Sequence, residues 1–208
     1  MPRKTQPYHK YIFDSAKREF LGRFEEMYRA EETEQFDSWR QEDLSNSDKR
    51  IAKAIISGHE FQRIIDIGCG KGVFTSTLKT DANEVVGIDL SETAIAKARS
   101  KYPHIDFRVG STMILENPAG EPVDLIVLME ILSYVEDWRD VIRQAASAGR
   151  YLLLSLYLPE RPIGFVKSGG DLRGLIDESY ERLDDVVLNR DSHLIFARSL
   201  EHLRPSDA

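Results

Sequence analysis

Arg63-Ile64-Ile65-Asp66-Ile67-Gly68-Cys69-Gly70-Lys71-Gly72 decides the fold of this chain: a short apolar run that stops at three alternating glycines. Such a run reads as a strand buried on both faces, as in a parallel sheet. Glycines reach left-handed backbone conformations and let a ligand approach the main chain closely. A helix start just after the loop would aim its amides at that ligand. The next apolar run, Glu84-Val85-Val86-Gly87-Ile88-Asp89, ends in an acid 23 residues after Asp66. An acid there can accept hydrogen bonds from vicinal ribose hydroxyls, each contributing about 1.5–3 kcal/mol. It also suits a helix start, where the dipole favours negative charge. Strand, glycine loop, helix, strand and acid in this order describe a nucleoside site.

Outward from that core, Ile105–Val109, Asp124–Met129 and Tyr151–Leu156 read as further strands. Between them lie helical segments, with Phe74 and Leu78 one turn apart, Ser91 as the cap of a helix through about Lys101, and Trp138–Ala146. Alternating strands and helices imply a parallel sheet covered on both faces. At the end, Val186–Leu188 and Leu194–Ala197 flank a short loop at Asn189–Ser192, so they must pair antiparallel. Upstream, Phe13, Phe20, Phe24, Met27 and Tyr28 form one apolar stripe, which reads as a helix. Residues 31–49 read as a polar connector, and Ile51, Ala54 and Ile55 as the inner face of a second helix. The expected organisation is a single domain over 1–208, with a helical cover at 1–47 and an α/β core at 48–200. The tail from Leu203 to Ala208 is expected to fray.

The glycine register narrows the nucleoside. Dinucleotide loops follow G-x-G-x-x-G, whereas Gly68, Gly70 and Gly72 follow G-x-G-x-G, with Val73 where a third glycine is needed. A buried Asp66 two residues before the first glycine suits an amino-bearing ligand better than a pyrophosphate. Both features argue against a nicotinamide-dependent reductase.

Ile64–Gly72 resembles the first motif of class I S-adenosylmethionine-dependent methyltransferases, and Val85–Ser91 resembles the acidic motif that follows it. Val123–Tyr134 is similar to the family's fourth-strand motif; Glu130, an apolar pair and Tyr134 are reminiscent of nodulation-type N-methyltransferases. The resemblance covers roughly residues 50–157. It implies a Rossmann-like, doubly wound, mostly parallel seven-stranded sheet of order 3-2-1-4-5-7-6, closed by an antiparallel hairpin. It implies S-adenosylmethionine as cofactor and S-adenosylhomocysteine as product. It further implies that the Gly68, Cys69, Gly70, Gly72 loop wraps the methionine part, that Asp89 with Leu90 holds the ribose, and that Asp66 lies near the methionine amino group. Where the family often carries an adenine-binding acid, this chain has Ser111, Thr112 and Met113. Ser111 accepts a hydrogen bond without charge, and Met113 is expected to pack on the base.

The acceptor should bind outside the carboxyl ends of the strands. Candidates there are Glu130, as base, acceptor-orienting carboxylate or cofactor contact, and Tyr134; both also suit helix-start or core roles. Tyr8, Tyr11, Trp39 and Tyr157 are candidate substrate residues, though aromatics commonly fill cores. The long Pro- and Gly-containing stretch 157–171 reads as a lid or a plain crossover. Together with residues 1–30 it is expected to close over the acceptor, so that deleting residues 1–30 would cost turnover and spare cofactor affinity. Methyl transfer from a sulfonium is in-line displacement on an activated donor, so positioning dominates and no triad is required.

Composition bounds the function. The 208 residues carry 35 acids against 28 Lys and Arg, a formal charge of -7, which disfavours phosphate backbones. The single cysteine excludes an intrachain disulfide, and the five histidines lack metal-ligand spacing. No signal-peptide pattern and no 18-residue apolar run is found. A cytoplasmic enzyme acting on a small-molecule N or O nucleophile is expected, without nucleic acid, membrane or metal. The other classes are a noncatalytic cofactor-binding partner subunit and, less well supported, the reductase.

Overall fold

The computed structural model describes residues 6–115 and 123–203; the rest of the tail expected to fray lies outside the described residues. The main sheet holds seven strands: β3 (Arg63–Ile67), β4 (Glu84–Asp89), β5 (Asp106–Val109), β6 (Val123–Met129), β7 (Gly149–Tyr157), β8 (Tyr180–Leu188) and β9 (Ser192–Ser199). Their order is β5-β4-β3-β6-β7-β9-β8, the implied 3-2-1-4-5-7-6. The first five are parallel, and β9 joins β7 and β8 antiparallel.

The period of two explains the layers. Leu125 and Val127 face one side of β6 and pack with Ala52 and Ile56 of α3 (Ser47–Ser57). Ile126 and Leu128 face the other side and pack with Ile142 and Ala145 of α6 (Trp138–Ala148) and Ile176 of α7 (Gly169–Ser179). Between β4 and β5, α5 (Glu92–Lys101) contributes Ile95 and Ala98 against Phe107. Ser91 caps α5 as expected, its side chain accepting from the Ala94 amide. No helix among the described residues is long and apolar enough to cross a membrane, and no His, Cys, Asp and Glu cluster there suits a metal.

Several local readings are corrected. The N-terminal stripe is not one helix. α1 (His9–Ile12) is a single turn, and a hairpin of β1 (Phe13–Asp14) and β2 (Glu19–Phe20) follows, before α2 (Phe24–Glu34). The Asp14 carboxylate accepts from the amides of Ala16 and Lys17, and Arg18 is left-handed, which turns the chain back. The connector is shorter than expected: α2 runs to Glu34, a 3-10 turn forms at Ser38–Arg40, and Asn46 caps α3. On α3 the inward residues are Ala52 and Ile56, flanked by Ile51 and Ile55, while Ala54 is exposed. After the glycine loop, α4 (Val73–Ser76) is only one turn. The stretch expected to be irregular to 171 is interrupted at Gly169, where Ser168 caps α7 by accepting from the amides of Gly170 and Asp171.

Candidate functional site

Gly68 and Gly70 have φ of +76° and +55°, which L side chains rarely adopt. A Cβ on Gly68 would lie 2.1 Å from Ile131 Cγ2, and one on Gly70 within 2.5–2.7 Å of the Gln41 amide and the Tyr28 hydroxyl. The loop therefore sits between the end of β6 and the N-terminal segment. Gly72 faces inward, where a Cβ would strike Phe107, so it shapes the packing of the loop instead of touching a ligand.

Every amide of the loop is engaged within the protein. Gly68 N and Cys69 N donate to Ile88 O, and Gly72 N to Cys69 O. Gly70 N donates to Asp89 Oδ2 at 2.9 Å, and Lys71 N to Gln41 Oε1 at 2.7 Å. The loop gives space and shape, and its hydrogen-bonding capacity is used in holding that shape.

Asp89 ends β4 and accepts from both Gly70 N and Ser91 N, while burial holds its carboxyl above the usual range. Each oxygen keeps lone pairs for a further donor. Replacing Asp89 by Ala is expected to weaken S-adenosylmethionine binding about tenfold or more, since two charge-assisted bonds exceed the 1.4 kcal/mol a factor of ten needs. The Gly70 amide loses its partner as well, so calorimetric titration must be paired with a melting curve. Unchanged affinity in folded protein would exclude the ribose role.

Asp66 is buried beneath the loop, and the Thr75 hydroxyl donates to its Oδ2 at 2.6 Å. Burial pushes its carboxyl up to about 7, against the lowering effect of Thr75. The unfolded chain ionises this group near 3.9, so between about pH 4 and 7 the folded state binds more proton. Without ligand, stability should therefore fall as pH rises through that window, and Asp66→Asn should remove this component of the urea midpoint's pH dependence. A cationic amino group placed against Asp66 would favour the carboxylate. Cofactor affinity should then rise with pH up to about 7 with release of a proton, measurable by calorimetry in two buffers at pH 6. Affinity and midpoint that ignore pH would place Asp66 outside that contact.

One cavity joins these groups. Asp66, Gly68, Cys69, Asp89, Leu90, Ser111 and Thr112 line one part; Trp39, Glu130, Ile131 and Tyr134 line the other. Glu130 is left-handed, φ +62°, and its carboxylate is fixed: Ser155 Oγ donates to Oε1 and Tyr157 N to Oε2, both at 2.7 Å. A strained residue at a strand end marks a position where geometry is imposed. Tyr134 is half-buried among the rings of Phe20, Phe24 and Trp39, its hydroxyl raised well above its ordinary value by burial and then by the Glu130 charge.

Other sequence candidates lie elsewhere. Tyr8 is buried in an aromatic group with His9, Phe36 and Trp39, and Tyr11 packs on Phe36 with its hydroxyl on Glu34; neither lines the cavity. Tyr157 does not line the cavity and reaches the site through its backbone amide, which donates to Glu130 Oε2. Met113 is 66% exposed and outside the lining, because the 3-10 turn Thr112–Leu115 buries Leu115 instead. Gly70 and Gly72 also lie outside the lining, the former beneath Gln41 and Tyr28 and the latter against Phe107.

The N-terminal segment is more than an acceptor cover. On α2, Glu25, Tyr28 and Glu31 recur at intervals of three and face the core. Glu25 accepts from Ser91 Oγ, Thr93 N and Thr93 Oγ1 beside Asp89, which holds its carboxyl down near about 2 despite burial. Lys71 Nζ pairs with Glu31 Oε1 at 3.0 Å and Asp37 Oδ1 at 2.7 Å, and Lys97 Nζ with Glu31 Oε2 at 2.8 Å. Lys49 donates to the carbonyls of Arg40, Gln41 and Asp43, closing the turn that carries left-handed Trp39 and Arg40. Residues 1–30, expected to be dispensable for cofactor affinity, thus include Glu25, which holds Ser91 and Thr93 beside Asp89, and Tyr28, which holds Gln41 over the loop. Phe24, Tyr28, Gln41 and Lys49 all line the cavity and were not singled out from sequence. The stripe of α2 marked Phe24 and Tyr28 as inward; nothing local marks Gln41 or Lys49. The lid region meets this segment too, with Phe165 edge-on to Phe20 and Arg18 donating to the Arg161 carbonyl.

The lining suits the implied cofactor: Gly68 forms part of the wall without a side chain, and the carboxylates of Asp66 and Asp89 offer acceptors to the same cavity. Residues 64–150 match the family model described as "Methyltransferase domain". A ubiquinone biosynthesis O-methyltransferase of Stutzerimonas stutzeri (strain A1501) is 31% identical over 90 residues, which cover 41% of this chain and 39% of that protein. The chain thus spans about two fifths of the length of that curated relative. The N-methyltransferase NodS of Bradyrhizobium japonicum WM9, solved in complex with S-adenosyl-l-homocysteine, superposes with a TM-score of 0.65 at 22% identity, over 83% of this chain and 98% of that one. The magnesium protoporphyrin IX methyltransferase of Synechocystis PCC 6803, solved with bound SAM, gives 0.61 at 16% identity over 96% and 100%. At these identities the structural likenesses establish the fold.

Proposed function

We propose that this chain, whose residues 64–150 match a methyltransferase domain, transfers a methyl group from S-adenosylmethionine to a nitrogen or oxygen nucleophile of a small molecule. The observation that carries the reading is the single cavity running from Asp89 and Ser111, past Gly68, to Glu130, Trp39 and Tyr134. One end has the acceptors that a nucleoside and an amino acid require; the other has a fixed carboxylate among aromatic rings. Bound S-adenosylmethionine supplies an electrophilic methyl on a sulfonium.

The protein's part is to bind, orient and exclude water. Asp89 accepts the ribose hydroxyls and Asp66 the ammonium. Glu130 orients the acceptor and takes its proton at a carboxylate oxygen where the nucleophile arrives protonated. Its two hydrogen bonds hold it in place, as in-line transfer demands. Phe24, Trp39 and Tyr134 wall the acceptor end from solvent. A mostly apolar enclosed end and a net charge of -7 favour a small acceptor over a nucleic acid.

Thermal shift with S-adenosylhomocysteine and not with NADH separates this reading from a reductase. A screen with methyl-labelled cofactor over amines, phenols and sugars then tests catalysis. Cofactor binding with no labelled product from any class would favour a noncatalytic partner subunit.

A further inference from the structure

The amino-acid end of the cofactor has two charges, and the described residues account for one. Asp66 suits the ammonium. The carboxylate needs donors, and the loop amides from Gly68 to Gly72 already have partners inside the protein. Resting on the methyltransferase reading, we propose that Tyr28 and Gln41, both upstream of the Rossmann-like core, bind the carboxylate of the cofactor's amino-acid end and select ligands that carry it.

The two side chains meet directly over Gly70. Gln41 Oε1 accepts from Lys71 N at 2.7 Å, which fixes which end of the amide carries the NH2, and both ends stand over Gly70. One of the two Nε2 hydrogens goes to the Tyr28 hydroxyl at 2.8 Å. The Tyr28 oxygen is the acceptor in that bond, so its own hydrogen is left to donate. The pair presents one N–H and one O–H, and both residues line the cavity. Two adjacent donors match an anionic oxygen. The hydroxyl stays protonated at any working pH, since burial and then the Asp89 charge push it well above its ordinary value.

Lys49 is the cation a search for a carboxylate partner would choose first, because it lines the same cavity. Its three ammonium hydrogens are taken by the carbonyls of Arg40, Gln41 and Asp43. Lys71 is engaged with Glu31 and Asp37. Recognition by neutral donors has a chemical consequence: the site discriminates by hydrogen-bond geometry, and losing one donor leaves a buried charge unpaired.

The test compares S-adenosylhomocysteine with 5′-methylthioadenosine, which keeps adenosine and sulfur and lacks the amino-acid part. Gln41→Glu preserves shape, lets both oxygens accept from Lys71 N and Tyr28, and removes both donors from the ligand. It should weaken S-adenosylhomocysteine binding about tenfold or more and leave 5′-methylthioadenosine within twofold. Tyr28→Phe, which deletes only the hydroxyl, should act in the same direction with a smaller factor. Asp89→Ala should weaken both ligands alike, as a control for the ribose. Equal losses for both ligands in Gln41→Glu, or none, would overturn the proposal. A wild-type protein that binds neither ligand would overturn the methyltransferase reading itself.

Discussion

Gly70→Val is expected to bring S-adenosylmethionine and S-adenosylhomocysteine binding below detection, a loss of about a hundredfold or more, in a protein whose sheet remains intact. Two effects act together. Gly70 has φ +55°, a conformation in which a β-branched residue is a steric outlier. Its new Cβ would also stand 2.5 Å from the Gln41 amide and 2.7 Å from the Tyr28 hydroxyl. Gln41 can swing aside, but Tyr28 is 3% exposed and its ring is packed with Ile12 and Met27. The loop must therefore move into the volume of the ligand or push α2 away. Circular dichroism should be nearly unchanged while calorimetry reads no heat of binding. Normal affinity in the variant would mean that this loop is not the cofactor cradle.

Glu130→Gln is expected to lower kcat about a hundredfold on an acceptor that must lose a proton, the usual scale for a positioned acid or base. Cofactor affinity should stay within about twofold, since the substitution keeps shape and the left-handed backbone and leaves one oxygen to accept from Tyr157 N or Ser155 Oγ. The separation is informative: a merely structural Glu130 would lower melting temperature and cofactor affinity along with the rate. Full turnover in the variant would remove Glu130 from the chemistry. A loss confined to KM would leave it only an orienting role.

The sheet was legible because β3, β4, β6 and β7 are buried on both faces, which writes them as continuous apolar runs, the first three of them ending in glycine or acid. Their order came from the resemblance of Ile64–Gly72 and Val85–Ser91 to known motifs, not from periodicity. Asp89, Gly68 and Glu130 were found because each sits at the end of such a run. The N-terminal segment was misread because Phe13 and Phe20 keep helical spacing relative to Phe24 while an Asp14 turn and a left-handed Arg18 fold them into a hairpin; that information is local and polar. Gln41 was invisible for another reason. It is a polar residue in a polar stretch, and its role exists only once Lys71, thirty positions away, is brought beneath it. Tyr8 and Tyr11 were plausible as aromatics near the site, yet aromatic rings satisfy one another, and these two pack on Phe36.

The strap formed by α2 and the turn at Ser38–Arg40 bears on how far this catalytic unit is portable. The stretch that matches a methyltransferase family begins at Ile64, downstream of Glu25, Tyr28, Glu31, Asp37 and Gln41. A graft or excised fragment cut at that boundary would carry the glycines and Asp89 but lose the groups that brace Lys71, Ser91 and Thr93. In this chain the stretch that matches the family and the stretch that braces the loop therefore have different edges.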